Sequence, residues 1–117
     1  MKEFYCMGTN ADLQRILRIK EHCEEISEAV SQNNYEVFIN TILKNGIAMS
    51  VLQIGELIKG LTADFILKNE EISWKLWIRN RDLFAHSYHK VDYEILWQTA
   101  LNDVPILLDF CNKILGE

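Results

Sequence analysis

Apolar residues recur along much of the chain at alternating spacings of three and four, the interval at which one face of a helix is revisited. Ile16, Ile19, Cys23, Ile26 and Val30 form the first such stripe, and Arg15, Arg18, Glu24, Glu25 and Glu28 fall between them for solvent. Thr9-Asn10-Ala11-Asp12 opens it with a capping hydroxyl and an acid in the first turn. Ser31-Gln32-Asn33-Asn34, a run of turn formers, closes it. A short segment with Tyr35, Phe38 and Ile42 leads into a second stripe of Ile47, Val51, Ile54, Ile58 and Leu61. Gly55 interrupts that pattern at a cost of about 1 kcal/mol relative to Ala. It predicts either a close helix–helix approach or a need for bare backbone beside Glu56. Gly60 punctuates the end, Thr62-Ala63-Asp64 begins a short turn of helix, and Lys68-Asn69-Glu70-Glu71 reads as a polar connection.

A third stripe carries Trp74, Trp77, Ile78 and Arg81 and runs to about Phe84 or His86. Asp92 can cap the last helix, whose apolar positions are Leu96, Ala100, Val104, Leu107, Leu108, Cys111 and Ile114. Pro105 removes one of its backbone bonds and should kink or restart it near Asn102-Asp103. The β-branched residues follow helical rather than alternating spacing, so no strand is expected, and there is no repeat or linker. The pattern predicts an all-α single domain over residues 1–117, a bundle of four to five helices.

Composition agrees. A chain of 117 residues that is 49% hydrophobic can bury one core, and five Gly and one Pro leave little material for a turn-rich β fold. Cys6, Cys23 and Cys111 are odd in number and widely spaced, which suits free thiols in a reducing compartment. The segment Met1–Cys6 has no apolar signal region, and no uncharged run approaches the roughly 18 to 20 residues of a membrane span. The expectation is a cytoplasmic protein without a membrane segment.

Charge changes the picture. Twelve Lys and Arg against 17 Asp and Glu give a net −5, which as an average argues against nucleic-acid binding. Residues 74–90 invert it: Lys75, Arg79, Arg81 and Lys90 against Asp82 alone give +3, leaving −8 on the rest. A basic, histidine-containing, aromatic-flanked island on an acidic body suits a phosphate-bearing ligand. If the helix continues to His86, Asp82 and Arg79 share its face, and Asp82 can orient the imidazole. Arg81 then points roughly 140° away on an ideal helix. It can join His86 only if the helix ends between them or a second subunit supplies one of the pair. Trp74 and Trp77 read as core or interface packing rather than base-stacking platforms. His86 and His89 lack a third ligand cluster, so no metal and no cofactor is expected. The residues alone support a phosphate or nucleotide site.

Arg81-Asp82-Leu83-Phe84-Ala85-His86-Ser87-Tyr88 also reads R-x4-H-x-Y, and it resembles the signature of HepT-like toxins within the HEPN superfamily of helical ribonucleases. Trp74, seven residues before the arginine, is similar to the family's Trp, and Gln53-Ile54-Gly55-Glu56 to its I-G-E segment. The stretch from Val91 to Trp97, followed by Asp103-Val104-Pro105, resembles the family's final helix, so the likeness runs from about Asp12 to Ile114. Departures are Ser73 in place of a common Pro, Arg79 in place of a common Gly, and His89 after the tyrosine. Arg79 therefore offers a competing register for the motif arginine.

The resemblance implies a metal-independent endoribonuclease acting as a homodimer. In it His86 serves as general acid/base, Arg81 holds the scissile phosphate, and Asp82 orients or tunes the site. Lys75, Arg79 and Lys90 are candidate phosphate contacts. The resemblance further implies pairing with an MntA-like nucleotidyltransferase antitoxin that adds AMP to Tyr88, whose bulk and negative charge would block RNA. The alternative is a non-enzymatic helical partner, or a nucleotide-binding subunit, of such a nucleotidyltransferase.

Overall fold

The computed structural model describes residues 8–117, apart from the side chain of Tyr88; residues 1–7, and with them Cys6, lie outside the described residues. Helix α1 spans Asn10–Ser31, α2 Tyr35–Asn40, α3 Leu43–Lys59, α4 Ala63–Lys68 and α5 Trp74–His86. A 3-10 turn at Tyr88–Lys90 follows, then α6 at Tyr93–Gln98, a π-helical turn at Thr99–Asp103 and α7 at Val104–Leu115. The last three run on without a break. The bundle thus has four long helical rods joined by the short α2 and α4, with no strand among the described residues.

The expected start of α1 is a full capping box. Thr9 Oγ1 accepts from the Asp12 amide at 3.0 Å, and Asp12 Oδ2 accepts from the Thr9 amide at 3.1 Å. Asp12 is completely buried and does more than cap. Its carboxylate also accepts from the Thr62 amide at 2.9 Å and the Thr62 hydroxyl at 2.8 Å, tying α1 to the start of α4. Burial opposes ionisation of this group, but the hydrogen bonds from Thr62 and Thr9 outweigh it and hold the carboxyl below the usual carboxylate range.

The apolar stripes meet in one core. Ile16, Ile19, Cys23 and Ile26 from α1 are buried with Val51, Ile54 and Ile58 from α3 and Val104, Leu107 and Cys111 from α7. Cys23 and Cys111 are free buried thiols, and burial pushes Cys111 up to about 12. Trp74 and Trp77 belong to this core as well. Trp74 packs edge-on to Phe110 and donates its indole N–H to the Asn69 carbonyl at 2.8 Å, which satisfies the ring's single polar atom. Ile42 departs from the pattern: it lies at the break between α2 and α3 and is 85% exposed. Its spacing from Phe38 is helical, but the extended backbone of Thr41 interrupts the helix between them.

Pro105 is accommodated without a sharp break. The turn before it widens to π geometry, and the Val104 amide reaches back to the Thr99 carbonyl, one residue beyond the α-helical partner. The proline then occupies the first turn of α7, directly after the widened turn, so the backbone bond it lacks falls where the ladder has already shifted register. Gly116, at φ +80°, closes α7 in the left-handed conformation.

Candidate functional site

Helix α5 presents two faces of opposite character. Trp74, Trp77 and Phe84 are buried against the bundle. Lys75, Arg79, Asp82 and His86 are exposed, and on an ideal helix they fall within an arc of roughly 60°. Arg81 lies within roughly 30° of the centre of the buried face, so it leans toward α3. The helix runs through His86 and ends only at Ser87, whose amide bonds to the Leu83 carbonyl at 2.8 Å. Arg81 and His86 are therefore on one uninterrupted helix and point in different directions.

Gly55 explains how Arg81 fits there. A Cβ at this position would lie 2.3 Å from the Arg81 Cβ and 3.0 Å from the Trp77 carbonyl oxygen. Only bare backbone allows α3 and α5 to approach this closely. The Arg81 side chain, 18% exposed, emerges from this contact into a charged cluster. Its Nε donates to Glu56 Oε1 at 2.5 Å, and its Nη1 donates to Asp82 Oδ1 at 3.0 Å. Lys59 Nζ stands 3.6 Å from the same Asp82 oxygen. The hydrogen bond to Glu56, then that to Asp82, raise the Arg81 pKa further above its ordinary value. The hydrogen bond from Arg81, aided by the charge of Lys59, holds the Asp82 carboxyl below the usual range.

The structure thus joins Arg81 and Asp82, and Asp82 turns to Arg81 and Lys59 rather than to His86. His86 is exposed at the last turn of α5, and Lys75, Arg79 and Lys90 are exposed along and just beyond that helix. Tyr88 begins the 3-10 turn that follows, and its side chain lies outside the described residues. Among the described residues, no group of three or more His, Cys, Asp or Glu side chains converges as metal ligands, and no helix is long and apolar enough to cross a membrane.

Two members of the cluster, Glu56 as the partner of Arg81 and Lys59 as that of Asp82, escape a reading confined to residues 74–90. The signal for Glu56 is the costly Gly55 before it. Lys59 carries a weaker one, since it lies one turn from Glu56 on the same face.

A family model described as ribonuclease HepT-like matches residues 19–114. A protein of Caldanaerobacter subterraneus subsp. tengcongensis named as a "putative RNase" is 33% identical over 100 residues, covering 85% of this chain and 89% of that protein. One of the same description from Methanocaldococcus jannaschii is 32% identical over 88 residues, 74% of this chain and 73% of its own. A "probable ribonuclease HepT" of Thermococcus cleftensis is 31% identical over 96 residues, 75% of this chain and 87% of its own. No solved structure matches the chain.

Proposed function

The chain belongs to the HepT-like ribonuclease family, and from that premise we propose that it is a metal-independent endoribonuclease whose active site is shared between two copies. The observation that carries this reading is the placement of Arg81 and His86 on one unbroken helix, roughly 140° apart. Within a single chain this helix turns the two side chains away from a common phosphate, whereas a homodimer that apposes two α5 helices would supply Arg81 from one copy and His86 from the other.

In the proposed reaction His86 takes the proton from an RNA 2′-hydroxyl as that oxygen attacks the adjacent phosphorus. The imidazolium then returns a proton to the departing 5′-oxygen, leaving a 2′,3′-cyclic phosphate. Arg81 stabilises the negative charge that grows on the phosphoryl oxygens. Asp82 keeps the Arg81 guanidinium turned and charged. Lys75, Arg79 and Lys90 contact flanking phosphates. The island's +3, doubled in a dimer, offsets locally the acidic body that would repel RNA.

The same reading makes the protein the toxin of a pair whose antitoxin is an MntA-like nucleotidyltransferase. Adenylate on the Tyr88 hydroxyl, two residues along the chain from His86, would add bulk and negative charge to the basic segment and so oppose RNA binding. Incubation with such a partner and ATP should then add one or more AMP masses to the Tyr88 peptide; an unmodified peptide contradicts this part alone. The nuclease itself is tested by cleavage of a labelled single-stranded RNA with and without EDTA. Wild type should cut equally in both, and His86→Ala should not cut. Equal cutting by wild type and His86→Ala would refute the assignment.

A further inference from the structure

Glu56 is one residue beyond Gly55, where the backbone of α3 lies directly against Arg81 and Trp77 of α5. Gly55 seats the root of the Arg81 side chain, since an added Cβ would meet both its Cβ and its Cγ. Glu56 then grips the far end at Nε, while Asp82 takes Nη1. Two of the five guanidinium N–H donors are held by carboxylates from two different helices, which leaves three to face a ligand. Lys59 stands against Asp82, so Glu56, Asp82, Arg81 and Lys59 sum to zero charge. The cluster therefore fixes the plane of the guanidinium without presenting an uncompensated pair of acids to a phosphate.

We infer that Glu56 is a positioning residue for the proposed RNA cleavage, fixing the Arg81 guanidinium before the scissile phosphate arrives. The inference rests on the nuclease reading and adds to it a residue outside the R-x4-H motif. Preorganisation of this kind acts mainly on the transition state, because a charge already oriented need not reorganise as the phosphoryl oxygens gain charge. A loose guanidinium still attracts RNA. Loss of Glu56 should therefore lower kcat and leave KM nearly unchanged.

The full chain is assayed on a fluorescently labelled single-stranded RNA of mixed sequence, with folding checked by circular dichroism. Glu56→Ala should lower kcat on the order of 10- to 100-fold with KM within about twofold, as misplacement of a catalytic group does. Glu56→Gln, which keeps the oxygen acceptor, should recover most of that loss. Combined with Arg81→Ala, Glu56→Ala should add nothing further, because both remove the same oriented group. Unchanged kcat in Glu56→Ala, or losses that multiply in the double variant, overturns the positioning role while leaving the nuclease reading intact. A wild type that cuts no RNA overturns the nuclease reading first. NMR reads the contact whether or not RNA is cut: the Arg81 Nε–H should exchange slowly in wild type and rapidly in Glu56→Ala. Equal exchange in the two proteins also overturns the inference.

Discussion

Asp12 and Asp82 each bind a helix to its surroundings through a carboxylate, and they do so in opposite ways. Asp12 is completely buried, and its oxygens accept from the Thr9 amide, the Thr62 amide and the Thr62 hydroxyl, all neutral groups fixed in the fold. Asp82 is half exposed, and its partners are the cations Arg81 and Lys59, themselves within reach of solvent. A buried and satisfied carboxylate stabilises one structure and has nothing to offer a ligand. A half-open charged cluster adds little to stability, but its guanidinium keeps donors for an incoming anion. The contrast separates a residue that holds the bundle's shape from residues that, in the proposed nuclease, hold a reactive group ready.

The largest expected effect lies on the second side of that contrast. His86→Ala and Arg81→Ala should each reduce RNA cleavage by roughly 10²- to 10⁴-fold with thermal melting little changed, as measured by a cleavage time course beside a melting curve. An Arg81→Ala protein that cuts normally would make its cluster as structural as Asp12.

Asp12→Ala should do the reverse. It removes the acceptor shared by the Thr9 amide, the Thr62 amide and the Thr62 hydroxyl and should cost about 1 to 3 kcal/mol in chemical denaturation, while the remaining folded protein cuts at the wild-type rate. The pH dependence follows the same residue. Its folded pKa is depressed, so its contribution is complete above the unfolded value of about 3.9 and disappears as pH falls through the lower folded value. Wild type should lose stability across that acid window, and Asp12→Asn should lose less. Equal acid sensitivity in both would remove Asp12 from the account.

Gly55→Ala links the two regions, since it strikes the packing beneath Arg81. The Arg81 Cβ it would meet is anchored to backbone and cannot swing aside, so separation of α3 and α5 should cost about 1 to 3 kcal/mol. Cleavage should fall as well, because Arg81 moves. A variant that is destabilised but fully active would detach the contact from the chemistry. The smallest effect is expected from Arg79→Ala: RNA binding weakens a few-fold, and the slope of log affinity against log salt falls by about one. An unchanged slope would take Arg79 off the RNA path.

Much of this was legible in the sequence for identifiable reasons. The stripes of α1, α3 and α7 are regular because those helices pack one face against a common core, and periodicity records that directly. Gly55 points either to a close helix–helix approach or to a need for bare backbone beside Glu56, and the structure shows the approach, with the root of Arg81 seated against it. The π turn before Pro105 shows in the sequence only as a kink or a restart, since a proline fixes where a bond is lost but not how the preceding turn absorbs it. The pairing of Arg81 with Glu56 was hidden because the two are 25 residues apart. Helical periodicity shows which side of α5 faces inward and is silent about which helix lies opposite. For the same reason Asp82 was read toward His86, four residues along its own helix, when across the bundle it meets Lys59.

Subunit complementation decides whether the proposed active site takes Arg81 and His86 from two copies of the chain. Arg81→Ala and His86→Ala, each inactive alone, are mixed, unfolded and refolded together. Random pairing makes roughly half the dimers mixed, each with one intact site of two, so about a quarter of wild-type cleavage should return. No recovery above either variant alone, with mixed dimers demonstrated by mass, would contradict the shared site.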